Sequence, residues 1–124
     1  MKNIILDTNF LLIPAQYKVD IFQEIERVFP EKVHIFVLDK SFEELDNVAL
    51  QGRQKEKLHV KLAKSLLKTQ NIKILHVDQK GSVDDLLVEL SNKGYIIATQ
   101  DKELKRRLKQ NIVTLRQNKY LLFK

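Results

Sequence analysis

The sequence predicts an α/β fold with a mostly parallel sheet that helices cover on both faces. Short apolar runs alternate along the chain with segments of helical periodicity, which is the pattern of βαβ units. The apolar runs contain few polar residues, as expected of strands that are buried on both faces. Glycine (3) and proline (2) are scarce, so short connections are expected. The length of 124 residues fits one domain, which we place at residues 1–124.

Proline and glycine residues mark the ends of several of these elements. Pro30 and Gly94 end the helices that precede them, and Gly52 separates two helices. Apolar runs are assigned to strands, and segments with a repeated apolar face are assigned to helices. The predicted strands are 3–6, 33–38, 72–77, 95–99, 112–115 and an edge strand at 120–123. The predicted helices are 19–29, 41–50, 53–68, 82–91 and 102–108.

Two basic segments flank an acidic remainder. Residues 53–73 carry a net charge of +6 and residues 102–124 carry +7, so within a total of +6 the remainder carries −7. Basic stripes suit a phosphate backbone, although a solvated helix face has the same composition. On the basic helix at 53–68, the side chains that we expect to face the core are Leu58, Leu62, Ala63, Leu66 and Leu67.

Composition excludes several classes of protein. The absence of cysteine excludes a disulfide scaffold, a thiolate zinc site and a cysteine nucleophile. No apolar run approaches the roughly 20 residues that are needed to cross a bilayer. The N-terminal segment meets Asp7 too early to be a signal peptide, so we expect a protein of the cytoplasm.

Acidic residues recur at one predicted edge of the sheet. In an open parallel sheet, ligands bind where the strands end, and each following helix begins at that edge. Acidic residues stand there after each of the first four strands: Asp7, Glu43 and Glu44, Asp84 and Asp85, and Asp101. Carboxylates that converge without Lys or Arg between them repel one another, and a bound cation relieves that repulsion. Hard oxygen ligands favour Mg²⁺ or Mn²⁺, and such ions activate water and stabilise the leaving oxygen of a phosphodiester.

Each acid also has a purely structural explanation. Asp and Glu are favoured at helix N-termini, and both Ser41–Glu44 and Ser82–Asp85 fit a capping box. Asp7 and Asp101 are good N-cap residues as well. The functional interpretation therefore depends on the joint placement of the acids, because any one of them is explained by helix capping.

Four motifs, in order, resemble the PIN-domain nucleases over essentially the whole chain. They are Ile4–Asn9 with Asp7, Phe42–Leu45 with Glu44, Val83–Leu87 with Asp85 as the preferred match, and Ile96–Leu108 with Asp101. The C-terminal segment Val113–Leu121 is most similar to the archaeal branch related to small-subunit rRNA-processing PIN nucleases. VapC toxins share the same core.

This resemblance implies a Rossmann-like α/β/α sandwich of about five strands that hydrolyses RNA with Mg²⁺ or Mn²⁺. It implies catalytic and metal-binding roles for Asp7, Glu44, Asp85 and Asp101, with Asp84 as a further metal ligand. Asn9 and Thr99 would support these ligands. It also implies homodimers and, for a toxin, an antitoxin partner. Our candidates for guiding RNA are Arg53, Lys55, Arg106, Arg107 and Arg116.

Two other functions remain open at this point. A non-catalytic RNA-binding or assembly module would keep the fold and bind RNA without producing Mg²⁺-dependent fragments. A phosphoreceiver domain would need a phosphorylatable Asp after the third strand, for which Asp78 is the candidate. It would also need a Lys directly after the fifth strand, where Leu115 and Arg116 offer none.

Overall fold

The computed structural model describes residues 2–77 and 81–124, and Asp78 lies outside them. The strands within these residues are β1 (Lys2–Leu6), β2 (Val33–Leu38), β3 (Lys73–Leu75), β4 (Ile96–Ala98), β5 (Ile112–Arg116) and β6 (Tyr120–Phe123). The helices are α1 (Thr8–Leu11), α2 (Ile13–Tyr17), α3 (Ile21–Val28), α4 (Lys40–Gln51), α5 (Gln54–Thr69), α6 (Val83–Asn92) and α7 (Lys102–Leu108). No helix among the described residues is long and apolar enough to cross a membrane.

The described strands form one sheet in the order β3-β2-β1-β4-β5-β6. Pairing is parallel throughout except for β6, which pairs antiparallel with β5. This confirms the predicted mostly parallel sheet, with the edge strand at 120–123 as its sixth member. The order of the first five strands is that of the Rossmann fold, whereas a phosphoreceiver has the order 2-1-3-4-5. The strand order therefore argues against the phosphoreceiver function.

Helices cover both faces of the sheet and create two apolar layers. Side chains alternate along β1, so Ile4 and Leu6 pack into one layer and Ile5 into the other. The first layer also contains buried residues of α1 to α5, including Phe10 and Leu45. The second layer is formed with α6 and α7. This arrangement confirms the predicted three-layer α/β/α sandwich.

Helices α1 and α2 were not predicted, and they lie directly after β1. They contain four and five residues, which is too short for a helical repeat to be visible in the sequence. Asp7 caps α1, since its side chain accepts a hydrogen bond from the Thr8 N–H at 2.8 Å. The consequence for the site is that the chain turns sharply after Asp7 and holds that residue at the end of β1.

The inward face of α5 differs from the prediction. Leu58 and Leu62, which were expected in the core, are 57% and 42% exposed. Ala63 is buried as predicted, Leu66 and Leu67 are half-buried, and Val60 is buried although it was not predicted to face the core. The buried side of α5 thus contains Val60, Ala63 and the partly buried Leu67, and it is turned away from Leu58 and Leu62.

Candidate metal and active site

The candidate site lies at the C-terminal edge of the sheet, where the strand order reverses between β1 and β4. Asp7 follows β1 directly, and its N–H donates a hydrogen bond to the Ala98 carbonyl oxygen at 2.9 Å. Asp101 follows β4 after two residues. Such a topological switch point is where open α/β sheets bind their ligands.

A cavity of about 350 Å³ opens at this switch point. It brings together carboxylates that are distant in the sequence and that come from four different segments of the chain. Its lining residues are Asp7, Thr8, Asn9, Leu12, Glu44, Asn47, Val48, Asp84 and Asp101. No Lys or Arg is among these lining residues. The described lining is therefore acidic, and none of its own side chains carries a compensating positive charge.

Asp7 is the most buried acid of the cavity, with only 7% of its surface exposed. Its carboxylate accepts hydrogen bonds from the Thr8 N–H at 2.8 Å and from the Thr99 hydroxyl at 2.7 Å. Burial nevertheless raises the pKa of Asp7 from 3.8 to about 6, and Asp84 and Glu44 add to the rise against the two hydrogen bonds. The ionised form of Asp7 is therefore disfavoured unless positive charge is nearby.

Thr99 links two of the acids. Its hydroxyl group donates to the Asp7 carboxylate, and its hydroxyl oxygen accepts from the Asp101 N–H at 3.1 Å. Asn9 on α1 also contacts the segment between β4 and α7, because its side-chain oxygen accepts from the Gln100 N–H at 3.4 Å. Thr99 therefore contacts both Asp7 and Asp101, and Asn9 contacts the residue before Asp101.

Glu44 lies on α4, and a chain of hydrogen bonds connects its carboxylate to the hydroxyl groups of Thr8 and Ser41. The Thr8 hydroxyl donates to the Glu44 carboxylate, and the buried Ser41 hydroxyl lies 3.0 Å from the Thr8 oxygen. Because Thr8 has a single hydroxyl hydrogen, Ser41 must donate to Thr8 when Thr8 donates to Glu44. No sequence motif had indicated this network.

The predicted capping box at Ser41 is wrong. Helix α4 begins at Lys40, and its N-cap is Asp39, whose side chain accepts from the Lys40 N–H at 2.8 Å. Ser41 is instead buried within the first turn and contacts Thr8. In the sequence, a serine three residues before Glu44 fits a capping box as well as it fits a buried contact to Thr8. The sequence alone therefore could not distinguish the two.

Asp84 and Asp85, which are adjacent on α6, have different surroundings. Asp84 lines the cavity, and its pKa is raised by burial and by the nearby Asp101. Asp85 is exposed and pairs with Arg107 at 2.7 Å, which lowers the pKa of its carboxyl. The structure thus gathers Asp84, and not the preferred match Asp85, with the other acids.

Capping and cavity lining coincide at α7. The Asp101 side chain accepts from the Leu104 N–H at 3.0 Å and so caps α7, while the same residue lines the cavity. At α6 the two tasks are divided, since Ser82 accepts from the Asp85 N–H and Asp84 lines the cavity. The structural and functional explanations of the acids are therefore compatible.

The acids surround the cavity without converging on one point. Across residues 2–77 and 81–124, no three His, Cys, Asp or Glu side chains are close enough to coordinate one ion together. Any cation bound here would accordingly complete its coordination with water or with substrate oxygens.

The predicted RNA-guiding residues fall into two groups. Arg106 pairs with Glu103 at 2.9 Å, and Arg107 pairs with Asp85. Arg53, Lys55 and Arg116 are exposed, and no described acid forms an ion pair with them.

These features define a class of protein: a Rossmann-like α/β domain with a carboxylate-lined cavity at its topological switch point. The family profile described as "PIN like domain" matches residues 4–118. The chain belongs to this PIN-like domain family, which confirms the resemblance drawn from the four sequence motifs.

Curated relatives of two kinds are similar to the chain. "Ribonuclease VapC4" of Methanocaldococcus jannaschii is 37% identical, over 97% of this chain and 95% of the relative. "rRNA-processing protein fcf1" of Schizosaccharomyces pombe is 28% identical over 87% of this chain, and "rRNA-processing protein FCF1" of Saccharomyces cerevisiae is 33% identical over 86%. The chain spans about half, 54%, of each of these two longer proteins.

Solved structures support the same fold. The PIN domain endonuclease Utp24 aligns with a TM-score of 0.76 at 25% identity, over 96% of this chain and 88% of that chain. A domain of a functionally unknown protein from Methanocaldococcus jannaschii aligns with a TM-score of 0.56 at 18% identity, over 88% and 85%. The second likeness shows the fold alone.

Proposed function

We propose that this protein is a metal-dependent endoribonuclease that hydrolyses RNA phosphodiester bonds at the acidic cavity. The observation that carries the proposal is the meeting of Asp7, Glu44, Asp84 and Asp101 around one cavity at the switch point. The similarity to a ribonuclease over nearly the full length of both chains supports it. The likeness to the endonuclease Utp24 over 96% of the chain supports it as well.

Mg²⁺ or Mn²⁺ fits the donor set of this cavity. The acidic donors are hard oxygen atoms, and the described lining contains neither His nor Cys. Mg²⁺ is usually bound through one or two carboxylates and keeps several waters, which agrees with acids that surround a cavity without converging. Asp7 also favours a nearby cation, because burial and two neighbouring acids raise its pKa to about 6.

We propose that α6 contributes Asp84, in place of the preferred match Asp85, to the metal site. Asp84 faces the cavity, whereas the Asp85 carboxylate is already compensated by Arg107. The ion pair has a second consequence, since it ties α6 to α7, where Asp101 lies. Asp85 would then support the site indirectly by fixing these two helices.

The side chains of the cavity have distinct proposed roles. Because no three of the described acids can reach one ion together, one or two of Asp7, Glu44, Asp84 and Asp101 would hold the ion directly and the others through its waters. When bound, the ion would supply activation of water and stabilisation of the leaving oxygen. Thr99 keeps Asp7 and Asp101 in a fixed relation through its two hydrogen bonds. Thr8 orients Glu44, and Asn9 holds the loop that carries Asp101.

RNA reaches the cavity, in this proposal, along basic side chains. Arg53, Lys55 and Arg116 are the better of our candidates, because Arg106 and Arg107 are already paired with acids. The relatives leave two cellular roles, rRNA processing and VapC-type toxin action, both of which we place in the cytoplasm. A toxin would form a complex with an antitoxin, and homodimers are expected in either role.

The test is a cleavage assay with purified protein and a circular single-stranded RNA. We expect linear products that appear with Mg²⁺ or Mn²⁺ and disappear with EDTA, because a circle can be cut only internally. The Asp7→Asn variant should give no linear products. Its matched control is Asp46→Asn, which changes an exposed acid outside the cavity. If the protein binds RNA but does not cleave it at saturating metal, the nuclease proposal is wrong and the non-catalytic RNA-binding module is favoured.

A further inference from the structure

A stripe of basic side chains runs beside the acidic cavity on the face of the sheet that α7 covers. It consists of Lys102 and Lys105 on α7, Arg116 at the end of β5, and Lys124 after β6. None of its members forms an ion pair with a described acid. We call these four residues the basic stripe.

Lys105 is the centre of the basic stripe. It is half-buried, and its ammonium group donates to the Thr114 hydroxyl oxygen. Burial lowers the pKa of Lys105, and the nearby positive charges of Arg116, Lys124 and Lys102 lower it further. The basic stripe is therefore a concentration of positive charge that an anion would relieve.

Strand register sets the direction of the basic stripe. Thr114 and Arg116 point to the same face of β5, since side chains two apart share a face. Lys124 lies opposite Ile112, with which it exchanges backbone hydrogen bonds of 2.9 and 3.2 Å. From Arg116 to the level of Ile112 the strand rises about 13 Å at about 3.3 Å per residue. The basic stripe thus has the length of a backbone segment and is more than a single point charge.

The basic stripe is joined to the cavity through Gln100. The Gln100 side-chain oxygen accepts from the Thr114 hydroxyl at 2.9 Å and from the Leu115 N–H at 2.7 Å. The next residue is Asp101, which lines the cavity. An RNA strand that passes through the cavity would therefore meet the basic stripe where it lies over α7 and β5.

We propose that the basic stripe binds consecutive phosphates of the single-stranded RNA on one side of the acidic cavity. The inference rests on the proposed nuclease function, and it assigns a binding task to Lys105 and Lys124, which the sequence motifs did not indicate. Phosphates suit this surface because the cations form a line that continues from a site built for phosphodiesters. A site for a single small anion would instead have cations that converge on one pocket.

The test measures binding of a fluorescein-labelled polyuridine oligonucleotide in EDTA, so that no cleavage takes place. The variant is Arg116→Gln/Lys124→Gln, in which both side chains are exposed, so that the fold is preserved. The matched control is Lys32→Gln/Lys73→Gln, which removes two exposed lysines on the β2–β3 side of the sheet. Thermal melting followed by circular dichroism checks that both proteins are folded.

The expected result is a selective loss of electrostatic binding in the variant of the basic stripe. Loss of two phosphate contacts should reduce the slope of log K against log salt by about 1.4 and weaken binding about 25-fold at about 0.1 M salt. The control should keep the slope and the affinity of the unmodified protein. In single-turnover cleavage with Mg²⁺, the variant should need more enzyme than the control for half-maximal rate.

Three outcomes would overturn the proposal. They are unchanged binding in the Arg116→Gln/Lys124→Gln variant, an equal loss in the control, and stronger binding to polyglutamate than to polyuridine. Because binding is measured without metal, these outcomes are separate from the cleavage test. A protein that binds RNA through the basic stripe but never cuts it would disprove the nuclease proposal alone.

Discussion

Asp7→Asn is expected to make the metal-free protein more stable while abolishing RNA cleavage. Burial and neighbouring acids raise the pKa of Asp7 from 3.8 to about 6. Holding this carboxylate ionised in the folded protein therefore costs about 3 kcal/mol at neutral pH, at about 1.4 kcal/mol per pKa unit. Asparagine removes that cost but weakens one hydrogen bond, worth about 1 kcal/mol. The free energy of unfolding should rise by about 2 kcal/mol at pH 8.

The pH dependence follows from the direction of the shift. Because the pKa of Asp7 is raised in the folded protein, protonated Asp7 favours folding, and this contribution is complete below pH 3.8. It is lost as the pH rises through about 6. The advantage of Asp7→Asn should therefore be small near pH 4 and reach its full size above pH 6. Urea denaturation at several pH values, with EDTA present, measures it.

Divalent metal should reverse this ranking. A cation that binds the unmodified protein at 100 times its Kd stabilises it by about 2.7 kcal/mol, and the variant with one ligand fewer gains less. The control Asp46→Asn should show neither the stabilisation nor the loss of cleavage, because Asp46 is exposed and lies outside the cavity. An Asp7→Asn protein that is less stable than the unmodified protein at pH 8 without metal would refute the desolvation argument. Undiminished cleavage by that variant would refute the catalytic one.

Four further substitutions test the site and its frame. Asp84→Asn should reduce the rate of single-turnover cleavage at least tenfold, because even residues that only hydrogen-bond to a metal ligand cause losses of that order when they are changed. Asp85→Asn should keep most of the rate. The reverse result would restore Asp85 as the ligand. Thr99→Val removes hydrogen bonds to two acids and should destabilise the protein by about 1–3 kcal/mol in urea, so an unchanged midpoint would contradict its linking role. Ile97→Ala truncates a fully buried side chain of β4 and should cost about 2–5 kcal/mol; in calorimetry, a melting temperature equal to that of the unmodified protein would contradict the packing described.

Much of the fold could be predicted because it depends on local patterns. The strand Val33–Leu38 and the helix Lys102–Leu108 have the predicted bounds, since apolar runs and capping residues act within a few positions. The short helices α1 and α2 escaped prediction because one turn of helix leaves no repeat to detect. Two of the predicted inward leucines of α5, Leu58 and Leu62, are exposed for a related reason. Periodicity defines a broad apolar face, and packing against neighbours chooses which part of it is buried.

The sequence by itself determined the alternation of strands and helices and the presence of acids after each of the first four strands. Only the tertiary structure decided which acids share a cavity. Asp84 and Asp85 are adjacent and chemically identical, and the choice between them follows from the rotation of α6 and from Arg107 on α7. The basic stripe was decided in the same way, because strand register and the docking of α7 bring Lys105, Arg116 and Lys124 together. Chemical type is written in the chain, whereas the direction and distance between side chains arise only when the elements pack.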